Sequence, residues 1–341
     1  MTGMGSVLRR AWLLAVLLLP AMAAAGDVLL VGNKSADTVS ALDTGSGERL
    51  RWFDTGIGPH EIEVAPDGRH AVVSNYGRQD EPGDSLTVID WPAREVARVI
   101  DLGENSRPHG MAFLPDGRLA VTAEGVNGLL VVDIAEGEVV ARIPVGPGTA
   151  HMVAASPDGS HVWVTNIAAG TLERVDMAAA EVTGSIVTGD GAEGVSVTRH
   201  GAEVWVTNRA ADTVSVVDAA TLEVLATLDS PGVPIRIAFT PDGGHALVTN
   251  ARAATVSVFD VAKRELVRSI PIAEPGAEYR ETLLGRAALP IGVEIHPDGR
   301  RAWVAVSGGD QLAVIDTASW EIVERWATDR EPDALGIILS P

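Results

Sequence analysis

Three histidines and one glutamate recur at the same position of a repeated sequence unit, and these residue types can bind a transition metal ion. Six residues before each Pro-Asp-Gly tripeptide or its degenerate copy stand His60, His109, His151, Glu193, Ile235, Ile291 and Leu335. Imidazole and carboxylate groups suit Zn, Cu, Fe or Mn, and four of them could converge around one ion with an open coordination position. The predicted metal ligands are His60, His109, His151 and Glu193.

The same pattern allows two other interpretations. The aliphatic residues Ile235 and Ile291 would form the wall of a small-molecule pocket that needs no metal. Glu61 and Arg236 each stand one residue further along, where most repeats have glycine, and could anchor a polar ligand. In the third interpretation the histidines hydrogen-bond loop carbonyl groups and are purely structural.

Two further carboxylates interrupt a series of small residues. Glu63 and Glu294 stand where other repeats have Ala or Ser, and we expect them to line the channel more deeply. A buried carboxylate at such a place needs a partner or a raised pKa.

The elements that position these residues are short strands. The cleanest unit has four segments rich in Val, Ile, Thr and aromatic residues, separated by Asn, Asp, Gly and Pro. These segments are Val204–Thr207, Thr213–Val217, Glu223–Leu228 and Ile235–Thr240. Four strands in about forty residues are typical of one propeller blade.

The repeat count predicts the architecture. Three series of positions each have seven members: the Pro-Asp-Gly turns, the Val-Thr-Asn motifs and the Asp residues that close the following strands. We therefore predict an all-β fold, a seven-bladed β-propeller of four-stranded antiparallel blades, as one domain over residues 26–341. The C-terminal strand Gly336–Leu339 should pair with the three N-terminal strands, of which Val28–Gly32 is the first, and so close the ring.

Two long connections should lie on the same rim as the histidines. They cover residues 76–84 and 273–289, and both depart from the 42-residue spacing of the regular units. Long loops gathered at one rim are more often functional than decorative.

The repeats resemble a known family. Val164-Thr165-Asn166, Val206-Thr207-Asn208 and Val248-Thr249-Asn250, with the Pro-Asp-Gly turns, are similar to the YVTN-type β-propeller repeat of exported bacterial proteins. The resemblance covers essentially all of the chain after residue 25. Proteins with similar propellers include the YncE-like group, propellers that accompany quinone-dependent alcohol oxidation, lactonases, the heavy subunit of methylamine dehydrogenase and haem-binding nitrite reductase domains. It therefore implies the fold and leaves the function open.

The N-terminus and the composition indicate export. Residues 1–25 combine Arg9 and Arg10, an apolar run too short to span a bilayer, and small residues at Ala23 and Ala25, as in a cleaved signal peptide. We expect a periplasmic or secreted protein without membrane insertion after cleavage. The chain has no cysteine, so disulfides and thiolate metal sites are excluded. A net charge of −20 repels the phosphate backbone, so no nucleic-acid partner is expected.

Three classes of function remain. The first is a ligand-binding or accessory propeller that presents its rim to a small molecule or a periplasmic protein of an oxidation or transport system. The alternative is a metalloenzyme, a hydrolase, lyase or oxidoreductase, with the His/His/His/Glu site at the channel mouth. The third is an interaction scaffold. The sequence lacks nucleophile-elbow, phosphate-loop and covalent-haem motifs, so no catalytic residue is predicted, and a monomer is expected.

Overall fold

The computed structural model describes residues 26–103 and 106–340, and over these ranges the chain forms seven four-stranded antiparallel sheets. The predicted signal peptide lies outside the described residues. Successive side chains along each strand point alternately toward the two neighbouring blades, so every blade buries both of its faces. The strands of the first half are β1 (Val28–Asn33), β2 (Thr38–Asp43), β3 (Arg49–Asp54), β4 (Pro59–Val64), β5 (His70–Gly77), β6 (Pro82–Asp90), β7 (Glu95–Asp101), β8 (Pro108–Phe113), β9 (Leu119–Ala123), β10 (Gly128–Asp133), β11 (Glu138–Pro144), β12 (Ala150–Ala155), β13 (His161–Asn166), β14 (Thr171–Asp176) and β15 (Glu181–Val187).

The second half repeats this arrangement and adds one small hairpin, formed by β24 (Glu281–Thr282) and β25 (Gly285–Arg286). Short 3-10 turns lie at Glu124–Val126, after β9, and at Ser307–Gly309. The remaining strands are β16 (Ala192–Val197), β17 (Glu203–Asn208), β18 (Thr213–Asp218), β19 (Val224–Asp229), β20 (Pro234–Phe239), β21 (His245–Asn250), β22 (Thr255–Asp260), β23 (Glu265–Pro271), β24 (Glu281–Thr282), β25 (Gly285–Arg286), β26 (Pro290–Ile295), β27 (Arg301–Val306), β28 (Gln311–Asp316), β29 (Glu321–Ala327) and β30 (Pro332–Ile338).

The ring closes as predicted. Strand β30 pairs antiparallel with β1, and the sheet order β3-β2-β1-β30 completes one blade from the two ends of the described chain. We number the blades from β4: blades 1 to 5 are β4–β7, β8–β11, β12–β15, β16–β19 and β20–β23, blade 6 is β26–β29, and blade 7 is the closing sheet. The seven-bladed propeller is confirmed. Among the described residues, no helix has the length and apolar character needed to cross a membrane.

The hydrophobic core lies between blades. Trp163 packs with residues of blade 4, Trp205 with residues of blade 5, and Trp303 with residues of blade 7. The indoles of Trp205 and Trp303 are fully buried. The equivalent tryptophans are therefore packing residues between neighbouring blades, as the repeat predicts.

Glycines allow the inner strands to approach one another at the axis. A Cβ atom at Gly194 would lie 2.2 Å from the carbonyl oxygen of Ile235, and one at Gly292 would lie 2.0 Å from that of Asp333. Both distances are far below van der Waals contact, so a side chain at either position would push neighbouring blades apart.

Candidate functional site

Every inner strand carries a β-bulge at the positions that the repeat pattern singles out. In blade 3 the pairing of β12 with β13 shifts register between Ala150 and Val153, and the other six blades shift at the equivalent place. A bulge re-aims side chains and frees backbone amides from the ladder. Both effects help to place functional groups at the channel mouth.

The threonine of the Val-Thr-Asn motif holds this bulge. The Oγ1 atom of Thr165 accepts a hydrogen bond from the Met152 amide, 2.9 Å away, and donates one to the Glu193 carbonyl of the next blade, 2.7 Å away. Thr122 makes the same pair of contacts with the Gly110 amide and the His151 carbonyl. The motif therefore fixes the backbone beside each candidate ligand.

The structure brings the four predicted metal ligands together at one mouth. It also corrects the position assigned to the closing blade, where Asn33 pairs with Pro332 and Val31 with Leu335. In blade 3 the corresponding pairs are Asn166 with Ala150 and Val164 with Val153. The equivalent of His151 is therefore Asp333, two residues before the predicted Leu335. The error arose because the last strand was aligned by counting back from Pro341, which lies outside the described residues.

With this correction, five consecutive blades carry polar side chains and two carry aliphatic ones. In order around the ring these are Asp333, His60, His109, His151, Glu193, Ile235 and Ile291. All seven side chains are buried. The mouth therefore has a polar arc and an apolar arc.

A second ring of side chains completes the mouth. The residue that follows the Asn position of the Val-Thr-Asn motif, or its equivalent, in each second strand points to the same pocket, except that Ala251 packs just behind it. This ring consists of Lys34, Tyr76, Glu124, Ile167, Arg209, Ala251 and Ser307. The sequence interpretation missed it, although the position after Val-Thr-Asn carries the necessary signal.

His109, Glu124 and His151 form the tightest group of metal-ligating atoms. One donor atom from each lies within 4.8 Å of the others. The Glu124 carboxylate reaches the group from the 3-10 turn that follows β9, and the Tyr76 hydroxyl donates to its Oε2 atom at 2.6 Å. This group shares two residues with the predicted quartet and adds Glu124.

His151 is held between two carboxylates. Its Nδ1 atom lies 2.5 Å from Oε1 of Glu124, and its Nε2 atom lies 2.8 Å from Oε1 of Glu193. Burial lowers the pKa of His151, but the two carboxylates outweigh it and raise the pKa to about 9. Burial acts in the opposite direction on Glu193, yet the charges of His151 and Arg236 lower its pKa to about 2. The imidazole is therefore protonated and bridges two carboxylates at neutral pH.

His109 lies between two other imidazoles. Its ring centroid is 4.2 Å from that of His60 and 4.0 Å from that of His151. Burial lowers the pKa of His109 well below its usual value, and the neighbouring His151 adds to this effect. Its buried Nδ1 atom has no hydrogen-bond partner among the described residues. His109 is thus a neutral imidazole with a free lone pair or N–H group in the site.

His60 faces the closing blade. Its Nδ1 atom lies 2.9 Å from Oδ2 of Asp333, and its Nε2 atom lies 3.4 Å from the Lys34 ammonium. Lys34 also pairs with Asp333 at 3.3 Å. Burial raises the pKa of Asp333, but the His60 and Lys34 charges more than compensate, so its pKa lies far below the usual value. This cluster links the first blade to the closing strand.

Arg236 and Glu61 do not extend freely into the pocket. Nη2 and Nε of Arg236 both donate to Oε1 of Glu61 across the channel, and Nη1 lies 3.5 Å from Oε1 of Glu193. Burial lowers the pKa of Arg236, but Glu61 and Glu193 raise it above the ordinary arginine value. These groups form the floor of the mouth, because Arg236 lines both the mouth and the channel beneath it.

The channel below this floor contains the two carboxylates that interrupt the small-residue series. Glu63 and Glu294 line a cavity of about 670 Å³. Burial, followed by the charges of Glu294 and Glu61, raises the pKa of Glu63 to about 8. Burial raises the pKa of Glu294 to about 7. Near neutral pH Glu63 is therefore mostly protonated and Glu294 about half protonated, as expected for carboxylates without a cationic partner.

The mouth itself is a pocket of about 360 Å³. Both long connections reach it: residues 76–84 through Tyr76, and residues 273–289 through Thr282, Leu283, Leu284 and Leu289. By contrast, His70, His161 and His245 begin second strands at the opposite ends of their blades, and His70 hydrogen-bonds Asp67 of its own hairpin. They do not join the site.

Comparisons with known proteins agree with the fold. Residues 185–279 match the family model described as YNCE-like beta-propeller, which confirms the resemblance over that stretch. Hydrazine synthase of Kuenenia stuttgartiensis superposes with a TM-score of 0.71 at 20% identity, covering 81% of this chain and 88% of that chain. A functionally unknown protein from Desulfotomaculum acetoxidans DSM 771 superposes with a TM-score of 0.75 at 16% identity, covering 92% and 100%. No curated protein sequence matches. At these identities the likeness shows the fold alone.

Proposed function

We propose that this YNCE-like propeller is an exported binding protein whose channel mouth holds one divalent transition metal ion and uses it to bind a small molecule. The observation that carries the proposal is the convergence of donor atoms from His109, Glu124 and His151 within 4.8 Å. Two imidazoles and one carboxylate are a donor set suited to Zn and neighbouring first-row metals.

The groups around these three side chains support a metal centre. A ligating histidine usually donates its second ring N–H to a carboxylate, which orients the ring. Glu193 has this position behind His151, and Tyr76 holds the second oxygen of Glu124. Because His151 contacts Glu124 through Nδ1, an ion at this place would replace the proton that now bridges them.

The state of His109 also fits a ligand. Metal ions bind the neutral form of imidazole, and burial keeps His109 neutral. A buried nitrogen without a partner costs about 1–3 kcal/mol, and coordination would remove that cost. His60 and Glu193 then act as supporting residues at the edge of the centre.

Metal binding is tested by elemental analysis and calorimetry on protein purified without chelator or a histidine tag. We expect one Zn²⁺ per chain, and loss of at least tenfold in affinity in Glu124→Gln and in His109→Ala. His200→Ala is the matched control, since His200 is exposed in a hairpin at the opposite face. Wild-type protein that takes up no transition metal, or variants that bind as tightly as wild type, would refute the proposal.

The proposal that the protein is exported rests on the sequence of residues 1–25. Their basic start, short apolar run and small residues before position 26 support removal by a signal peptidase. Cell fractionation followed by N-terminal sequencing tests this directly. We expect periplasmic protein that begins at Gly26, and a cytoplasmic product that keeps Met1 would refute export.

A metalloenzyme is the second candidate, because three converging protein donors leave coordination positions for water or substrate. Catalytic zinc sites typically have this arrangement, whereas structural sites are closed by four protein ligands. Turnover of lactone or ester substrates by the zinc-loaded protein, absent in Glu124→Gln, would favour catalysis over binding.

A further inference from the structure

We propose that the ligand at this mouth is a monocarboxylate with an aliphatic or aromatic body, and that the Leu283-Leu284 tip of the β24–β25 hairpin covers that body. This inference rests on the proposed metal centre and specifies what it binds. It follows from how polar and apolar groups are divided around the ring, and from one exposed hairpin.

The polar half of the mouth is suited to an anionic head group. A divalent ion held by two neutral imidazoles and Glu124 keeps one net positive charge. Lys34 and Arg209 stand at the rim beside it, with Arg209 paired to Glu193 at 3.0 Å and Lys34 to Asp333. The Arg209 side chain is 41% exposed, so it can contact a ligand without leaving its partner. Because Asp333 and Glu193 offset these two cations, the positive charge left for a ligand is that of the ion, which a carboxylate would satisfy and an ammonium group would oppose.

The wall of the opposite half is apolar, with Arg236 in the floor beneath it and Ser307 and Thr282 as the polar residues at its edge. Ile235, Leu289 and Ile291 form one packed cluster with Ala251 on blades 5 and 6. Ile235, Leu289 and Ile291 line the mouth opposite the histidines, and Ala251 packs behind them. A ligand bound by its head at the metal would therefore have its body against this cluster.

The β24–β25 hairpin overhangs the same side. Thr282, Leu283 and Leu284 line the pocket, and Leu283 is 83% exposed at the tip. An isolated leucine with this exposure has an unused apolar surface beside an apolar wall. Burial of that surface on a ligand would strengthen binding, because apolar surface is removed from water.

The base of the hairpin is hydrogen-bonded to a neighbouring loop, whereas the hydrogen bonds at its tip lie within the hairpin itself. The Arg280 amide donates to the Gly308 carbonyl at 2.8 Å, and the Tyr279 hydroxyl accepts from the Glu274 amide. The tip is held by its own contacts, in which Thr282 Oγ1 donates to the Gly285 carbonyl. Gly285 has φ +105°, which a residue with a side chain rarely adopts. A short rigid tip on an anchored base can shift as a unit over the mouth.

The pocket volume sets the ligand's size. About 360 Å³ lies at the lower end of the range for small-molecule sites and fits a carboxylate of some six carbons in all. Hexanoate is therefore the probe, compared with acetate, which lacks the body, and hexylammonium, which has the wrong charge.

Calorimetry on the zinc-loaded full chain tests the inference. We expect hexanoate to bind at least tenfold more tightly than acetate, since each buried methylene strengthens binding about fourfold. Hexylammonium should bind at least tenfold more weakly than hexanoate. Leu283→Ser/Leu284→Ser should reduce hexanoate affinity at least fivefold and leave acetate unchanged. The matched control is Leu266→Ser/Val267→Ser, an exposed apolar pair on the outer strand β23.

Proteolysis gives a second measurement that does not depend on affinity. Arg286 is exposed at the hairpin, so trypsin should cleave after it, and saturating hexanoate should slow that cleavage at least threefold. Absence of zinc uptake would overturn the metal centre itself. If zinc binds normally but hexanoate is no tighter than acetate, or the leucine variant and the cleavage rate are unchanged, the metal centre stands and the inference about ligand and lid is overturned.

Discussion

The Nε2 atom of His151 lies 2.8 Å from the Oε1 atom of Glu193, and both side chains are buried. The two residues are 42 positions apart in the chain and occupy equivalent places on adjacent blades. Their contact is therefore produced by the repeat, which aims the second residue of every inner strand at the axis. Glu193 also receives the charges of Arg209 and Arg236. It connects the candidate metal centre to the floor of the mouth.

Replacement of Glu193 by Gln should weaken metal binding without removing a ligand. The variant keeps the side-chain shape but loses the charge that orients His151 and makes it more basic. Loss of such a supporting carboxylate typically costs 10- to 100-fold in metal affinity. Competition with a chromogenic zinc chelator measures the change. Glu181→Gln, on an exposed edge of β15, should bind zinc as wild type does.

An unchanged affinity in Glu193→Gln would show that Glu193 does not support the site. A complete loss of zinc binding would instead make Glu193 a direct ligand, as the sequence predicts. The two outcomes therefore distinguish between the four ligands predicted from the sequence and the group of His109, Glu124 and His151 found in the structure.

Asp333→Asn should destabilise the closure of the ring. Asp333 is buried and pairs with Lys34 and with Nδ1 of His60, so the neutral amide leaves a poorly compensated charge between blades. We expect a loss of about 1–3 kcal/mol in the free energy of unfolding, measured by urea denaturation. Asp329→Asn removes an exposed pair with Arg49 and should cost less than about 1 kcal/mol. Equal effects of the two variants would contradict a special role for Asp333.

The sequence predicted the blade count, the closure and the site's location because these features recur at fixed spacing. Aligned copies of a repeat show which positions are equivalent. The polar arc could be predicted because His60, His109, His151 and Glu193 stand at a position where other copies have an aliphatic residue. The equivalence of Asp333 with His151 was missed because no complete Pro-Asp-Gly turn follows the last strand, and that turn is what aligned the other strands.

The partners of the site residues could not be predicted in the same way. Whether Arg236 binds a ligand or Glu61 depends on the width of the channel, which brings residues 175 positions apart into contact. Glu124 was overlooked because the Val-Thr-Asn motif is altered there to Val-Thr-Ala, and the following residue was not compared between repeats. Spacing in the chain identifies equivalent positions, and only three-dimensional distances identify pairs across the ring.

Arg236→Met should strongly destabilise the protein because it leaves Glu61 without its cation and removes one of the three positive charges beside Glu193. Removal of one member of a buried ion pair costs about 3–5 kcal/mol, and the partial exposure of Glu61 places the expected loss near the lower end. The double variant Glu61→Gln/Arg236→Met should lose less than the sum of the single variants, as measured by urea denaturation. Arg118→Met, which breaks an exposed pair with Asp116, is the control. Additive losses would contradict the coupling across the channel.

The stability of the protein should fall with rising pH in part because of Glu63. Its pKa is about 8 in the folded protein and 4.5 without burial, so the folded state retains a proton that the unfolded state has released. Unfolding therefore becomes easier as the pH rises from about 4.5 to 8. Since Glu63 keeps some contact with the channel, we expect about 1–2 kcal/mol over this range.

Glu63→Gln isolates this contribution, because the amide stays neutral at every pH. The groups that face Glu63, namely Glu61 and Glu294, remain in the variant, and Glu294 contributes a dependence of the same sign, since its own pKa is raised to about 7. Urea denaturation at pH 5, 6.5 and 8 should therefore give Glu63→Gln a flatter profile than wild type and the largest stabilisation at pH 8. Glu95→Gln, on the exposed edge of β7, should follow the wild-type profile. Parallel profiles for wild type and Glu63→Gln would mean that Glu63 is ionised in the folded channel.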